Sequence, residues 1–246
     1  MTHLEHTNRN AEKIAAACIL SISGGFLDIY TYLFRGGVFA NAVTGNMVLF
    51  GFNIAHGQWQ GCVKYIIAIT SYAIGVFAAE FLHQKMSAAR KIGWHQTILM
   101  LEIIVLLPVI FIPYGKMDFI VNSLISLVCA MQVQTFRRVN GLPFASTMCT
   151  GNLRSGTEAL FRGAYYKTTA ELTKAWHYFV IILCFIAGAA AGAVLLKHFG
   201  HSVFFLVPAA LLAVFFMVTT KRQLAALRRA FRHNQPSSES SRRISR

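Results

Sequence analysis

Long apolar runs separated by shorter polar stretches dominate the pattern of the 246-residue chain. A helix needs about 20 mostly apolar residues to cross a hydrocarbon core about 30 Å thick. Runs of this kind predict an all-α integral membrane protein, in which the helix nearest the middle of the chain is the most polar. The pattern indicates about six transmembrane helices, at residues 14–34, 63–83, 97–114, 118–136, 175–197 and 202–220.

A Thr-Gly-Asn tripeptide occurs twice, each time between predicted transmembrane helices. Val43-Thr44-Gly45-Asn46 is matched by Cys149-Thr150-Gly151-Asn152, 106 residues later. We therefore expect two related halves, residues 1–115 and 116–220, followed by a tail at 221–246. Internal repeats of this kind are typical of membrane transporters, whose substrate site lies between the repeats.

Basic residues indicate the orientation of the helices, because cytoplasmic loops carry an excess of lysine and arginine. Six crossings with both termini in the cytoplasm put 9 basic loop residues inside and 4 outside. Eight crossings, with 38–56 and 142–160 as full spans, give 5 inside and 7 outside and leave Arg154 within a helix. We therefore expect six spans and two re-entrant segments, with Arg35 in an outer loop. Three spans per half make the second half inverted relative to the first.

The chain has a net charge of +14, and the excess basic residues lie in these loops and in the tail. The tail begins as a basic amphipathic segment after Lys221, and we expect it to bind anionic lipid at the cytoplasmic face. No soluble basic domain is visible in the pattern, so no nucleic-acid partner is expected.

The repeated tripeptide suits an interrupted helix. Thr and Asn side chains can satisfy freed backbone groups, and Gly45 and Gly151 tolerate the backbone angles of a helix break. If Thr44 and Thr150 begin half-helices, the positive helix ends favour an anionic or carbonyl-bearing substrate. If the glycines instead end half-helices, the negative ends favour cations. A third reading is a tight packing turn without any transport role.

Asp28 is an acidic residue in the middle of an apolar helix, where a charge is costly unless it faces water or a partner. It is the candidate coupling group. The alternative is an ion pair or hydrogen bond that fixes helix packing, with Arg35, Arg137 or Arg138 as possible partners. The matching position in the second half falls near Gln132 and carries no charge. Two other acidic residues, Glu80 and Glu102, lie near the predicted inner helix ends, where solvated carboxylates are expected.

The other candidate binding residues are polar side chains of the predicted spans and re-entrant segments. Arg154 follows the second tripeptide and would neutralise an anion. Small residues at four-residue spacing predict packing faces, with Gly188 and Gly192 in one half and Ser71 and Gly75 in the other. The full set of candidate substrate-binding residues is Asp28, Thr44, Asn46, Gln132, Thr150, Asn152 and Arg154.

Nothing in the sequence predicts an enzyme. The five cysteines form no C-x-x-C pair or Cys/His cluster, so no metal site is indicated. No hydrolase, metalloprotease or phosphate-binding motif is present. We expect no catalytic residue and no cofactor.

The chain resembles the YoaK family of bacterial multi-pass membrane proteins, domain of unknown function 1275, over most of its length. The resemblance rests on Gly24-Gly25-Phe26-Leu27-Asp28, Phe39, both Thr-Gly-Asn tripeptides, Gln132, Arg137-Arg138, Gly188 and Gly192. Where the family pattern has Gln-Asn, this chain has Gln132-Val133. The resemblance implies a transporter-like protein of the bacterial inner membrane and supplies no established substrate.

These observations predict a small-molecule transporter with its site between two inverted repeats. A passive channel or facilitator would use the same architecture without coupling. A non-transporting membrane scaffold or accessory protein would use the tripeptides only to pack helices.

Overall fold

The computed structural model describes residues 14–87, 93–139, 142–143 and 149–219. The expected tail helix at 221–246 lies outside these residues. The described elements are, in order, α1 (Ile14–Phe34), α2 (Val43–Ala55), α3 (Trp59–Ser87), α4 (Trp94–Leu106), a first 3-10 segment (Leu107–Phe111), α5 (Asp118–Thr135), β1 (Arg138–Val139), β2 (Leu142–Pro143), α6 (Cys149–Tyr165), α7 (Thr169–Phe199), a second 3-10 segment (Gly200–Phe205) and α8 (Leu206–Val218). β1 and β2 form a two-residue antiparallel ladder.

The helices confirm the prediction of a helical membrane protein. By length and composition, five apolar segments of the described chain could cross a membrane: Ile14–Phe34, Trp59–Met86, Trp94–Phe111, Asp118–Thr135 and Thr169–Val218. The last has 50 residues and joins the two predicted spans 175–197 and 202–220. Its two helices are separated at Gly200, whose φ of 65° favours glycine and ends α7.

Two further differences from the predicted spans have local causes. The predicted span 97–114 is α-helical only to Leu106, and a 3-10 segment follows because Pro108 lacks the N–H that an α-helix needs. The predicted re-entrant segment 38–56 contains the short apolar helix α2. The other, 142–160, overlaps the two-residue ladder and the start of α6.

Helix packing joins the two parts of the chain extensively. α1 packs on α7, and α3 packs on α5, in the two largest helix contacts between the predicted halves. α2 lies on α3 and α6 lies on α7, so each short helix forms a hairpin with the long helix that follows it. α4 contacts α5 and α8, and α8 also contacts α1. The main apolar core lies among α1, α4, α5 and α8.

Glycines let the long helices approach closely, as the small-residue spacing predicted. An added Cβ on Gly188 would lie 2.1 Å from the Ile22 carbonyl oxygen across the α1–α7 contact. On Gly75 it would lie 2.4 Å from the Leu127 carbonyl oxygen across the α3–α5 contact. Neither space holds a side chain, so backbone contact between helices defines both crossings.

The outer surface of the bundle carries many large apolar side chains. Phe77 on α3 is 75% exposed and Phe111 is 79% exposed. Such a surface is costly in water but is what a lipid-facing helix presents.

Candidate functional site

Both Thr-Gly-Asn tripeptides lie in the first turn of a helix. Thr44 is the second residue of α2 and Thr150 is the second residue of α6. The tripeptides therefore begin these helices rather than end them. The N-cap of α2 is Ala42, and no side chain caps this helix end.

Asn46 fastens the segment that precedes α2. Its Oδ1 accepts a hydrogen bond from the Phe39 N–H at 3.0 Å, and its Nδ2 donates to the Phe39 carbonyl at 2.6 Å. The Phe39 ring fills the space beside Gly45, where an added Cβ would lie 3.1 Å away. Asn46 itself is fully buried. The first tripeptide thus fixes the path of the chain into α2.

Asp28 also contacts this segment. Its Oδ1 accepts a hydrogen bond from the Asn41 N–H at 2.7 Å, and the N–H groups of Ala40 and Ala42 interact with the same carboxylate. The Asn41 side chain donates to the Gly24 carbonyl at 3.3 Å. Backbone amides of the segment just before α2 are therefore the partners of Asp28.

Two of the three arginines suggested as partners, Arg35 and Arg137, pair with other carboxylates in the described residues. Arg35 pairs with Asp118, and Arg137 lies 3.9 Å from Glu80. The side chain of Arg138 lies outside the described part of the chain.

A second buried carboxylate lies on α4. Glu102 of α4 is fully buried, and neither of its oxygens has a hydrogen-bond partner of ordinary geometry among the described residues. The Gln132 side chain of α5 lies nearby. Cys129, one turn before Gln132, interacts electrostatically with both Asp28 and Glu102. Asp28, Asn41, Glu102, Cys129 and Gln132 therefore form one buried group, called the central cluster below.

The expectation of a solvated Glu102 is wrong. α4 packs against α5 and α8, and these two helices cover the middle of α4. The sequence signal that singled out Asp28, an acid within an apolar run, was equally present at Glu102. Asn41 was missed because it lies in a connecting segment that carries no apolar pattern.

The predicted site residues separate by burial. Four of them are buried: Asp28, Asn46, Gln132 and Asn152. Asp28 and Gln132 belong to the central cluster. Thr44, Thr150 and Arg154 are exposed. Thr150 and Arg154 line a shallow surface groove on α6, together with Leu153, Thr157, Glu158 and Phe161.

Cys149 begins α6 near the cluster. Burial raises the pKa of its thiol to about 11, and the nearby Asp28 carboxylate contributes in the same direction. The thiol therefore remains protonated near neutral pH and is a poor nucleophile.

Arg35 lies in the connection that follows α1 and closes one end of the bundle. Its guanidinium is fully buried. Nε donates to the Tyr30 hydroxyl at 2.8 Å, and Nη1 donates to Asp118 Oδ1 at 2.9 Å. Its remaining donors bind the Ile112 and Pro113 carbonyls at 2.7 and 2.8 Å. The network continues from the Tyr30 hydroxyl to His201 Nδ1 at 3.1 Å, in the second 3-10 segment.

The opposite end of α5 carries a smaller polar group. Gln134 Nε2 donates to Glu80 Oε2 at 2.8 Å, and Arg137 lies beside the same carboxylate. Glu80 is partly exposed, as the sequence suggested. The central cluster thus lies between the buried Arg35 network near the start of α5 and the partly exposed Glu80 carboxylate near its end.

The described residues contain no group of three or more His, Cys, Asp or Glu side chains able to hold a metal ion. What they do contain is a set of apolar helices around a buried polar cluster. That combination defines a membrane-embedded helical protein.

The chain belongs to the family described as protein of unknown function (DUF1275), which matches residues 16–218. The matched region includes every residue of the central cluster. A comparison with curated proteins gave no match, and a comparison with solved structures gave none either.

Proposed function

We propose that the protein transports a small molecule through a site between two inverted repeats. The central cluster is the observation that carries this proposal. It places two carboxylates, two amides and a thiol inside the bundle, on α1, α4, α5 and the segment before α2. Ionisable residues at such depth are expensive, and in membrane proteins they mark substrate and ion pathways.

The pattern of helix contacts supports the repeat. Exchanging α1 with α5, α2 with α6, α3 with α7 and α4 with α8 turns each major contact into another one. The α1–α7 contact becomes α5–α3, the α2–α3 hairpin becomes α6–α7, and the α1–α8 contact becomes α5–α4. Two halves related by a two-fold axis have this property, and the boundary near residue 115 separates them.

The charges of the two hairpins support an inverted arrangement. The α6–α7 hairpin carries Arg154, Arg162, Lys167 and Lys174, whereas the α2–α3 hairpin has Lys64 near its turn and Lys85 at the far end of α3. By the positive-inside rule the α6–α7 hairpin lies at the cytoplasmic face and the α2–α3 hairpin lies at the outer face. This placement favours cytoplasmic termini, in the bacterial inner membrane that the family resemblance implies.

The two polar groups that flank the cluster support the transport proposal, because each would lie on one side of the site. The Arg35 network and the Glu80–Gln134 pair lie on either side of the buried carboxylates. A transporter of this kind opens one side at a time, by movement of one repeat against the other. The described conformation is then an occluded state.

Transport can be tested with the full chain in liposomes adsorbed on a solid-supported membrane. Concentration jumps of amino acids, sugars, organic acids, amines and polyols would be applied one class at a time. We expect a transient current with one class, and we expect Asp28→Asn to abolish it while the variant remains folded and monodisperse. Glu171→Gln is the matched control, because this carboxylate lies in the first turn of α7 and pairs with Lys174.

The other two functions give different results. Solute flux that persists in Asp28→Asn, and does not respond to a proton gradient, would indicate a passive channel or facilitator. No flux of any class, with Asp28→Asn only less stable, would indicate a membrane scaffold. The scaffold reading is favoured by one observation, since Asn46 pairs with Phe39 and faces no open space.

A further inference from the structure

We propose that Cys18 and Cys184 form a dithiol site at the α1–α7 crossing, where a small apolar organic disulfide is reduced and a protein disulfide forms. The protein disulfide would fix α1, in the first predicted half of the chain, against α7 in the second. The site shares no residue with the central cluster and does not depend on the proposed transport function.

The two thiols are in direct contact. Cys18 lies in the second turn of α1 and Cys184 lies on α7. Their side chains form a hydrogen bond with each other, across the contact between the two helices. Both residues are free cysteines and both are only partly buried. The two sulfur atoms therefore lie where a bond between them needs little movement.

The crossing of α1 and α7 holds the helix backbones together on both sides of this pair. Ala17 packs on Ile181 just before Cys18. One turn later, a Cβ added to Gly188 would lie 2.1 Å from the Ile22 carbonyl oxygen. A disulfide needs Cα atoms about 4.4–6.8 Å apart, and helices in backbone contact provide such a spacing.

Two other cysteines of the described chain have different neighbours. Cys129 and Cys149 both interact with the Asp28 carboxylate. A nearby negative charge disfavours the thiolate, which is the form of cysteine that attacks a disulfide. Cys18 and Cys184 instead interact with each other, so one sulfur can displace a group bound to the other.

The exchange conserves atoms and electrons. One protein thiol loses its proton to water and attacks the small disulfide, which breaks the S–S bond of the reagent and releases one small thiolate. The protein then carries a mixed disulfide. The second protein thiol loses its proton and attacks the protein sulfur of that bond, which releases the second small thiolate and forms the Cys18–Cys184 disulfide. Each released thiolate takes up a proton, so the protein thiols are oxidised and the small disulfide is reduced.

The position of the pair favours an apolar reagent. Both cysteines belong to segments that could cross a membrane, and both are partly buried on their helices. A reagent must therefore reach them through lipid, which a charged molecule such as glutathione disulfide enters poorly. Cys18 lies near the start of its segment, so water at the membrane boundary can accept the thiol proton.

Peptide mapping measures the exchange directly. The full chain in liposomes would be treated with dithiodipyridine, a small apolar disulfide, and then digested without reduction for mass spectrometry. We expect a peptide pair linked through Cys18 and Cys184, with no thiopyridyl group on either residue, and loss of the link after treatment with dithiothreitol. Glutathione disulfide should give about tenfold less of the linked pair, because its charges keep it out of lipid.

Two variants and a control distinguish the exchange from separate reactions at each thiol. In Cys18→Ser the reaction should stop at the mixed disulfide and leave a thiopyridyl group on Cys184. Cys184→Ser should leave that group on Cys18. Cys149→Ser is the matched control, because Cys149 is partly buried like the pair but lies on α6, and it should form the linked peptides as the native chain does. If a variant does not fold, the peptides of the native chain decide the matter.

The inference is overturned if both cysteines of the folded native chain stay free or both keep thiopyridyl groups. It is also overturned if the linked peptides appear only after unfolding in SDS. An equal yield with glutathione disulfide would show that the site does not select an apolar reagent. Solute currents enter none of these results, so failure of this inference is distinguishable from failure of the transport proposal.

Discussion

The Arg35 network and the central cluster bury ionisable groups in the same bundle, but they satisfy them very differently. Every guanidinium nitrogen of Arg35 donates a hydrogen bond, to a hydroxyl, a carboxylate or a backbone carbonyl. In the described structure the Glu102 carboxylate interacts with the Gln132 side chain and takes part in no ion pair. The two groups lie on neighbouring helices, so general burial does not explain the difference. A buried charge with several hydrogen-bond partners holds helices together, whereas a buried carboxyl with few partners is costly to keep in the bundle.

Arg35→Met should have the largest effect on stability. Removing one member of a buried pair strands Asp118, Tyr30 and two carbonyls, and such changes cost about 3–5 kcal/mol. The free energy of unfolding would be measured by SDS titration in mixed micelles. The double variant Arg35→Met with Asp118→Asn should recover part of the loss. A change below about 1 kcal/mol would show that the network does not hold the bundle.

Asn46→Ala comes next and tests a neutral group that is fully paired. It leaves the buried N–H and carbonyl of Phe39 without partners, which should cost about 2–3 kcal/mol of the free energy of unfolding. Thr44→Ala, two residues away and exposed, is the control and should change stability by less than about 0.5 kcal/mol. Equal losses in the two variants would contradict the role assigned to Asn46.

Glu102→Gln should behave unlike Arg35→Met. The change keeps the shape of the side chain and removes the penalty of a buried acid, so stability should stay within about 1 kcal/mol of the native value or rise. The same SDS titration measures it. If Glu102→Gln lowered the free energy of unfolding as much as Arg35→Met, Glu102 would have a structural role like that of Arg35. The contrast between the two groups would then be wrong.

Arg154→Gln should have the smallest effect. Its side chain is exposed on α6, and substitutions at exposed positions usually change stability by less than about 0.5 kcal/mol. Transport currents would show whether this arginine also contributes to function. Loss of current at unchanged stability would add the groove on α6 to the substrate pathway.

Several features followed from the sequence because they depend on local composition. Apolar runs of about 20 residues predicted the helices, and the run 118–136 closely matches α5 (Asp118–Thr135). Asp28 was singled out because charge is rare in an apolar helix, and it is buried. Small residues at Gly75 and Gly188 predicted close helix crossings, and both glycines lie against a neighbouring backbone.

Other features depended on which elements meet in space. The sequence alone could not show that Arg35 turns inward to Asp118, 83 residues away. It could not show that α5 and α8 cover Glu102. Nor did the tripeptide reveal that Asn46 pairs with Phe39, since that bond requires the chain to fold back before α2.

The sequence by itself determined the class of protein, because hydrocarbon thickness fixes helix length and the cost of charge in lipid makes isolated acids conspicuous. The tertiary structure decided which polar residues are buried and which of those have several hydrogen-bond partners. The partners of a buried group come from distant parts of the chain, and only the packed helices show whether its hydrogen bonds are made.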